Sequence, residues 1–117
     1  MIQHVAIEVR EQDAPACARF WALLGFKRVE APPALAPRVA WFQRGETQVH
    51  LLFASEDPIV PPSGHIAVVA PDYDVTVDAL RSAGFEPDRR TEYWGSPRCF
   101  VRSPSGHRVE VMAFGPG

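Results

Sequence analysis

One stretch decides the fold of this chain: Ser103-Pro104-Ser105-Gly106-His107-Arg108-Val109-Glu110-Val111-Met112. Its proline and its glycine favour a tight turn, because proline fixes φ and glycine tolerates positive φ. After the turn, polar and apolar residues alternate, which predicts a strand with its two valines on the packed face. Arg108, Glu110 and Met112 then lie on the opposite face. A carboxylate there needs a partner if it is covered, so the function of the chain depends on what Glu110 faces.

Length and composition limit the class of protein. The chain has 117 residues, of which 46% are hydrophobic and 22% charged, as is typical of a single globular domain over residues 1–117. Its net charge of −2 predicts no nucleic-acid partner. There is no long apolar run and no signal sequence, so we expect no membrane partner and a cytoplasmic location. Cys17 and Cys99 lack metal-binding spacing and are expected to be buried thiols, a disulfide being the other possibility.

The chain repeats one pattern: a strand, a helix ending in Gly-Phe, and three more strands. The first module covers about residues 1–55 and the second about residues 64–117, with a proline-containing linker over 56–63. We expect strands at 4–9, 26–30, 38–43, 47–54, 64–69, 85–89, 98–102 and 108–112, and helices at 16–24 and from Asp72 or Asp74 to Arg81. The repeat predicts an α+β fold in which two βαβββ modules form a cup of curved mixed sheets.

Four side chains that can bind a metal occupy matching positions in the two modules: His4, His50, His65 and Glu110. Nearly the same number of residues separates His4 from His50 as separates His65 from Glu110. Three imidazoles and a carboxylate suit a divalent transition metal such as Zn, Mn, Fe, Co or Ni, whereas Ca or Mg would need more oxygen ligands. Each histidine taken alone is more simply explained as a hydrogen-bonded strand residue. Together, the four predict a metal site.

Trp41, Arg38, Trp94 and Arg98 are candidates for a substrate pocket, since arginine binds anions and tryptophan stacks on planar groups. The alternatives are core or dimer packing for the tryptophans and a solvated surface for the arginines. We expect His107, in the final turn, to be solvated. No Ser-His-Asp arrangement, phosphate loop or dinucleotide-binding glycine pattern is present in the sequence.

The chain resembles the vicinal oxygen chelate superfamily, which includes glyoxalase I, methylmalonyl-CoA epimerase, fosfomycin-modifying enzymes, bleomycin-resistance proteins and extradiol dioxygenases. The matching segments are His4–Val9, Phe20–Phe26, Gln48–Leu52, Gly64–Val68 and Ser103–Glu110. The last segment is similar to the family turn and strand D-P-D-G-x-x-[IV]-E, with serine in place of both aspartates. This resemblance covers nearly the whole chain. It implies paired βαβββ modules, usually in a homodimer, with family ligand positions at His4, His50, His65 and Glu110.

The resemblance also implies a metal-dependent lyase, isomerase or epimerase, or a related dioxygenase or transferase. The metal would act as a Lewis acid on vicinal oxygens of a small substrate, and Glu110 would be the catalytic group that moves a proton. His50 stands where glyoxalase I typically has a glutamate, which argues against that reaction. Ala6 stands where the fosfomycin enzymes usually carry a hydroxyl, and a three-ligand dioxygenase site would need one histidine fewer.

Two alternatives belong to other classes. One is a metal-free protein of the bleomycin-resistance type that sequesters a small molecule, with histidines lining the pocket and tryptophans stacking on a planar ligand. The other is a degenerate module whose cup is filled by its own side chains. The substrate, the metal and any thiol cosubstrate are left open by the sequence.

Overall fold

The computed structural model describes all residues, 1–117, and consists of eight strands and two α-helices. They are β1 (His4–Arg10), α1 (Ala14–Leu23), β2 (Lys27–Val29), β3 (Val39–Arg44), β4 (Thr47–Ala54), β5 (Ile66–Val69), α2 (Tyr73–Ser82), β6 (Asp88–Arg89), β7 (Arg98–Arg102) and β8 (Arg108–Met112). Short 3-10 helices cover Glu11–Asp13 and Ala36–Arg38. The chain divides into two compact units, Met1–Ile59 and Val60–Gly117, each with one α-helix and one four-stranded sheet.

The two sheets have the same topology. Their strand orders are β1-β4-β3-β2 and β5-β8-β7-β6. In each sheet the first strand in sequence runs parallel to the last one, and the other neighbouring strands are antiparallel. This repeated order confirms the predicted α+β fold of two βαβββ modules.

The pairing register places equivalent residues at equivalent positions of the two sheets. Trp41 lies opposite His50 across β3 and β4, and Phe100 lies opposite Glu110 across β7 and β8. Directly paired residues point to the same face of a sheet. Each sheet therefore presents a candidate ligand beside an aromatic ring on one face.

Two residues after the end of each helix lies a glycine with a positive φ, a conformation that glycine adopts without the steric cost of a Cβ atom. The φ angles are 89° at Gly25 and 95° at Gly84. Phe20 and Trp21 of α1 and Leu80 of α2 are fully buried. Burial of such side chains contributes about 1.5–3 kcal/mol each, so these apolar positions hold the helices in place.

Several predicted boundaries shift in the structure. Helix α1 begins at Ala14 rather than at residue 16, because the preceding 3-10 helix leads into it and Pro15 fits its first turn. Arg38 ends a 3-10 helix instead of beginning β3. His65 lies directly before β5 and not within it. The short strands β2 and β6 cover only the middle or the end of their predicted ranges.

Strand β8 is buried on both faces. Val109 and Val111 are fully buried, as the alternating pattern predicts, but Glu110 and Met112 are each only 5% exposed. The prediction of a single packed face is therefore wrong for this strand. It lies between β5 and β7, and Arg98 of β7 contacts the Glu110 carboxylate on the second face.

Cys17 and Cys99 are buried and form no disulfide, which agrees with the expected thiols. Burial raises the pKa of the Cys99 thiol, and this lowers its reactivity at neutral pH. Neither α-helix is long and apolar enough to cross a membrane.

Candidate functional site

Glu110 is the centre of a charged cluster in the second unit. Its Oε1 atom lies 3.1 Å from His65 Nε2, and its Oε2 atom accepts a hydrogen bond of 3.0 Å from Arg98 Nη1. The side chains of Glu110 and Arg98 are 7% and 11% exposed. Arg98 Nε also donates to the Thr91 carbonyl at 2.8 Å. Both oxygens of a buried carboxylate are thus held by nitrogen partners.

The backbone fixes the orientation of the His65 ring. His65 Nδ1 lies 2.8 Å from the carbonyl oxygen of Ser63. A carbonyl only accepts, so we assign a proton to Nδ1, which leaves a lone pair on Nε2 of the neutral ring. That lone pair faces a carboxylate oxygen of Glu110. Two such atoms approach each other stably only when a positive charge joins them, either a proton on Nε2 or a bound cation.

Aromatic rings surround the Arg98 guanidinium. Its Cζ atom lies 5.3 Å from the ring centre of Tyr93 and 5.7 Å from those of Trp94 and Phe100. Trp94 is held by a 2.8 Å hydrogen bond from Nε1 to the Phe114 carbonyl. The structure therefore brings together two of the candidate pocket residues, Arg98 and Trp94. The guanidinium, however, contacts the candidate ligand Glu110.

The first unit carries a stack of three rings. His50 lies between His4 and Trp41, with 4.1 Å between ring centres on each side and interplanar angles of 15° and 6°. His50 Nε2 contacts Gln48 Oε1 at 2.7 Å, and His4 Nδ1 contacts Gln3 Oε1 at 2.6 Å. Burial, and then the nearby His4, lower the pKa of His50. His50 is therefore neutral at pH 7.

Two other side chains, Arg38 and His107, lie in surroundings that differ from those predicted from the sequence. Arg38 is exposed, and its Nη2 donates to the Ala34 carbonyl at 3.5 Å. His107 is half-buried, with Nδ1 2.7 Å from Ser105 Oγ, so the expectation of a solvated ring is wrong. Burial lowers the pKa of His107, because the charged form loses hydration.

The donor atoms can be compared with what a divalent ion needs. Metal–ligand bonds of about 2.0–2.2 Å place neighbouring donors about 3 Å apart, and His65 Nε2 and Glu110 Oε1 have this spacing, 3.1 Å. The Ser63 carbonyl supplies the outer hydrogen bond typical of a ligating histidine. His65 and Glu110 therefore fit as two ligands of one ion.

The His4–His50 stack does not fit two ligands of one ion. Lone pairs lie in the ring planes, and two planes only 15° apart do not direct their lone pairs to one point. At least one ring would have to turn out of the stack. Neither unit by itself places three or more His, Cys, Asp or Glu side chains where they could hold a metal.

Phe100 is a residue of this cluster that sequence reasoning missed. Its ring meets the His65 ring edge-on, with 4.9 Å between centres. Period-two alternation along β7 was the available signal, because it places Arg98, Phe100 and Arg102 on one face. The Phe100 ring therefore lies between the His65–Glu110 pair and the neighbouring arginine side chains.

A family model described as the Glyoxalase/Bleomycin resistance protein/Dioxygenase superfamily matches residues 1–111. The chain belongs to this superfamily. A search of curated proteins found no match.

Solved structures of the superfamily fold are similar over nearly the whole chain. A protein described as belonging to the glyoxalase family, from Bacillus anthracis, is 23% identical, with a TM-score of 0.83 and coverage of 96% of this chain and 93% of its own. Lactoylglutathione lyase from Agrobacterium tumefaciens is 19% identical, with a TM-score of 0.71 and coverages of 96% and 92%. TnmS3, an antibiotic-binding protein from Streptomyces sp. CB03234, is 15% identical, with a TM-score of 0.73 and coverages of 96% and 93%. At these identities the likeness shows the fold, which hosts both enzymes and binding proteins.

Proposed function

We propose that this superfamily member is a metal-dependent, glyoxalase-like enzyme that acts on vicinal oxygens of a small substrate, in a lyase, isomerase or epimerase type of reaction. The contact between His65 Nε2 and Glu110 Oε1, 3.1 Å long, carries this proposal because the two atoms have the spacing of neighbouring ligands of one ion. His65 and Glu110 would hold the ion. A bound Zn, Mn, Fe, Co or Ni would supply a Lewis acid for the substrate oxygens.

Arg98 gives the two oxygens of Glu110 different roles. The guanidinium holds Oε2 at 3.0 Å and compensates the negative charge, so the carboxylate stays in place when Oε1 changes partner. Oε1 is then the atom that would take a proton from a substrate carbon and return it. The rings of Tyr93, Trp94 and Phe100 restrain Arg98, which keeps this arrangement preorganised.

Metal content tests the proposal directly. We expect about one equivalent of a transition metal per chain, measured by elemental mass spectrometry on protein purified without chelator or nickel resin. His65→Ala and Glu110→Gln should lose most of it. His107→Gln is the matched control, because it removes a histidine of the same unit that lies outside the pair. Absence of metal after reconstitution, or full retention in both pair variants, would contradict the proposal.

The same measurement decides the predicted ligand roles of His4 and His50. If both are ligands, His4→Ala and His50→Ala lower the metal content as His65→Ala does. Retention of metal in both variants excludes His4 and His50 as ligands and leaves His65 and Glu110 as the proposed ones. That outcome would agree with the ring stack, in which Gln48 and Gln3 already occupy one nitrogen of each ring.

One observation favours a second candidate, a metal-free protein that binds or sequesters a small molecule. Arg98 already neutralises the buried Glu110 carboxylate, so the acid does not require an ion for charge balance. Absence of metal in the assay, together with saturable binding of a planar drug, would select this function.

The homodimer and the cytoplasmic location remain predictions from the superfamily resemblance and the sequence. Sedimentation equilibrium would test the dimer, and a mass of one chain at micromolar concentration would contradict it.

A further inference from the structure

Three arginine side chains gather around the ring of Phe100 in the second unit. The guanidinium carbon of Arg108 lies 4.0 Å from the ring centre, that of Arg90 lies 5.3 Å away, and that of Arg98 lies 5.7 Å away. The face of an aromatic ring attracts each cation, but three like charges around one ring also repel one another. The arrangement therefore depends on how each charge is compensated.

The three charges are compensated unequally. Arg98 is paired with Glu110 at 3.0 Å, and Arg90 is paired with Asp88 at 2.8 Å. Arg108 Nη1 donates only to a neutral group, the Pro62 carbonyl, at 3.3 Å. Arg108 is half-buried and has no ion-pair partner in the structure. An anion beside it would gain a charge-assisted hydrogen bond that the chain itself does not supply.

A pocket opens at this position. It has a volume of about 330 Å³, and its wall includes Arg90, Arg102, Arg108, Phe100, Glu86 and Asp88. Arg102 donates to the Gly106 carbonyl at 3.0 Å, so it too lacks a carboxylate partner. The wall thus carries three arginines, Arg90, Arg102 and Arg108, and only two acids, so the cavity has an excess positive charge. The cavity is large enough for part of a small ligand.

The pocket shares a wall with the His65–Glu110 pair. Phe100 lies opposite Glu110 in the register of β7 and β8, so both point to the same face of the sheet. The same ring lies perpendicular to the His65 ring, with 4.9 Å between ring centres. A molecule whose anionic end enters the arginine pocket therefore has its remaining atoms beside the ring that borders His65.

We propose that the Arg90–Arg102–Arg108 pocket binds the carboxylate or phosphate group of the substrate. The inference rests on the proposed function and narrows its substrate class to small molecules that carry both vicinal oxygens and an oxyanion. Arg108 is the specificity-determining residue. Its planar guanidinium forms paired hydrogen bonds to a carboxylate or phosphate, and its stacking on Phe100 holds it ready to do so.

Calorimetric titration of the metal-free full chain with inorganic phosphate, and separately with acetate, tests the pocket. We expect saturable binding of at least one anion at millimolar concentration, and Arg108→Gln should weaken it about tenfold or more. The control, Arg19→Gln, removes the same charge from a position on α1 in the other unit and should change affinity less than twofold. Tighter binding of phosphate assigns a phosphoryl group to the substrate, and tighter binding of acetate assigns a carboxylate.

Arg108→Lys guards against a folding defect, since it keeps the charge but not the paired geometry and should bind with intermediate affinity. The inference is overturned if neither anion binds. It is also overturned if the Arg108→Gln protein has the circular dichroism of the folded chain and binds the anion with the same affinity as the Arg19→Gln control. Metal content separates the two proposals, because Arg108→Gln should leave it unchanged. Arg108-dependent phosphate binding in a chain that takes up no metal would remove only the metal-dependent function.

Discussion

The buried pair of Arg98 and Glu110 offers the sharpest prediction at the residue scale. Removing one partner of a buried ion pair leaves the other charge uncompensated, which typically costs about 3–5 kcal/mol. We expect Arg98→Ala to lower the free energy of unfolding, measured with urea, by roughly 3 kcal/mol. Saturating divalent metal should reduce this loss, because an ion on Oε1 compensates the charge that the guanidinium compensated.

The control for this change is Arg102→Ala, which removes an exposed arginine from the end of the same strand. It should alter the free energy of unfolding by no more than about 0.5 kcal/mol. Equal stability of the two variants would show that Arg98 does not balance a buried charge.

His107 should make the stability of the chain depend on pH. Burial lowers the pKa of His107 from 6.5, so the unfolded chain takes up a proton before the folded chain does. The free energy of unfolding therefore falls as pH drops below 6.5 toward the folded pKa, by at most about 1.4 kcal/mol per pH unit for one group. His107→Gln should flatten this dependence in urea unfolding between about pH 7.5 and pH 5.5.

Ser105→Ala is the companion variant, because it removes the hydrogen-bond partner of His107 and keeps the titrating ring. Its unfolding should retain the steeper pH dependence. Parallel curves for the wild type and His107→Gln would mean that the ring does not contribute, and His50→Gln would then test the second histidine whose pKa is lowered by burial.

Some contacts at the residue scale could not be predicted from the sequence. Alternation along β8 was sufficient to single out Glu110 as a carboxylate in need of a partner. That the partner is Arg98 depends on three-dimensional placement, since the two are not directly opposite in the register of β7 and β8. The ring orientation of His65 likewise depends on the Ser63 carbonyl, a backbone group that no side-chain pattern reports.

At the scale of elements, the two helix-terminal glycines permit a matched comparison. Gly84 has a φ of 95° and open space where the methyl group of an alanine would lie, so Gly84→Ala carries only the backbone penalty, about 1 kcal/mol. A Cβ atom at Gly25 would also lie 3.2 Å from Arg44 Cδ. Thermal unfolding should therefore show a larger loss for Gly25→Ala, since Arg44 must also move.

Gly115→Ala is the control for this pair, because that position has neither a positive φ nor a neighbour within 4 Å. It should leave the melting temperature unchanged. A smaller loss for Gly25→Ala than for Gly84→Ala would contradict a role of Arg44 at the end of α1.

The strands show how far periodicity alone predicts an element. Alternation correctly located β4 and β7, but it assigned one packed face to β8, which is buried on both. The pattern in a single strand does not predict whether side chains of neighbouring strands bury its polar face. The ion pair with Arg98 offsets the usual free-energy cost of burying the charged carboxylate of Glu110.

At the scale of the whole molecule, the internal repeat was the strongest predictor. Two repeated patterns, each with a helix that ends in Gly-Phe, were enough to predict two βαβββ modules, and the structure adds that their sheets share one strand order. The parallel pairs join the first and last strands of each module, β1 with β4 and β5 with β8, and the short connections after β3 and β7 account only for the antiparallel pairs β3–β4 and β7–β8. The chemistry of each sheet was less predictable, because a ring stack occupies in one unit the position that an ion pair occupies in the other.

Each unit also contains one buried cysteine thiol, Cys17 in the first and Cys99 in the second. Both are almost inaccessible in the folded chain, so a thiol reagent can modify them only after local or global opening. The rate at which each cysteine is modified therefore reports how often its own unit opens. Mass spectrometry of partly alkylated protein would time the two openings separately, and equal rates would mean that the halves open as one cooperative body.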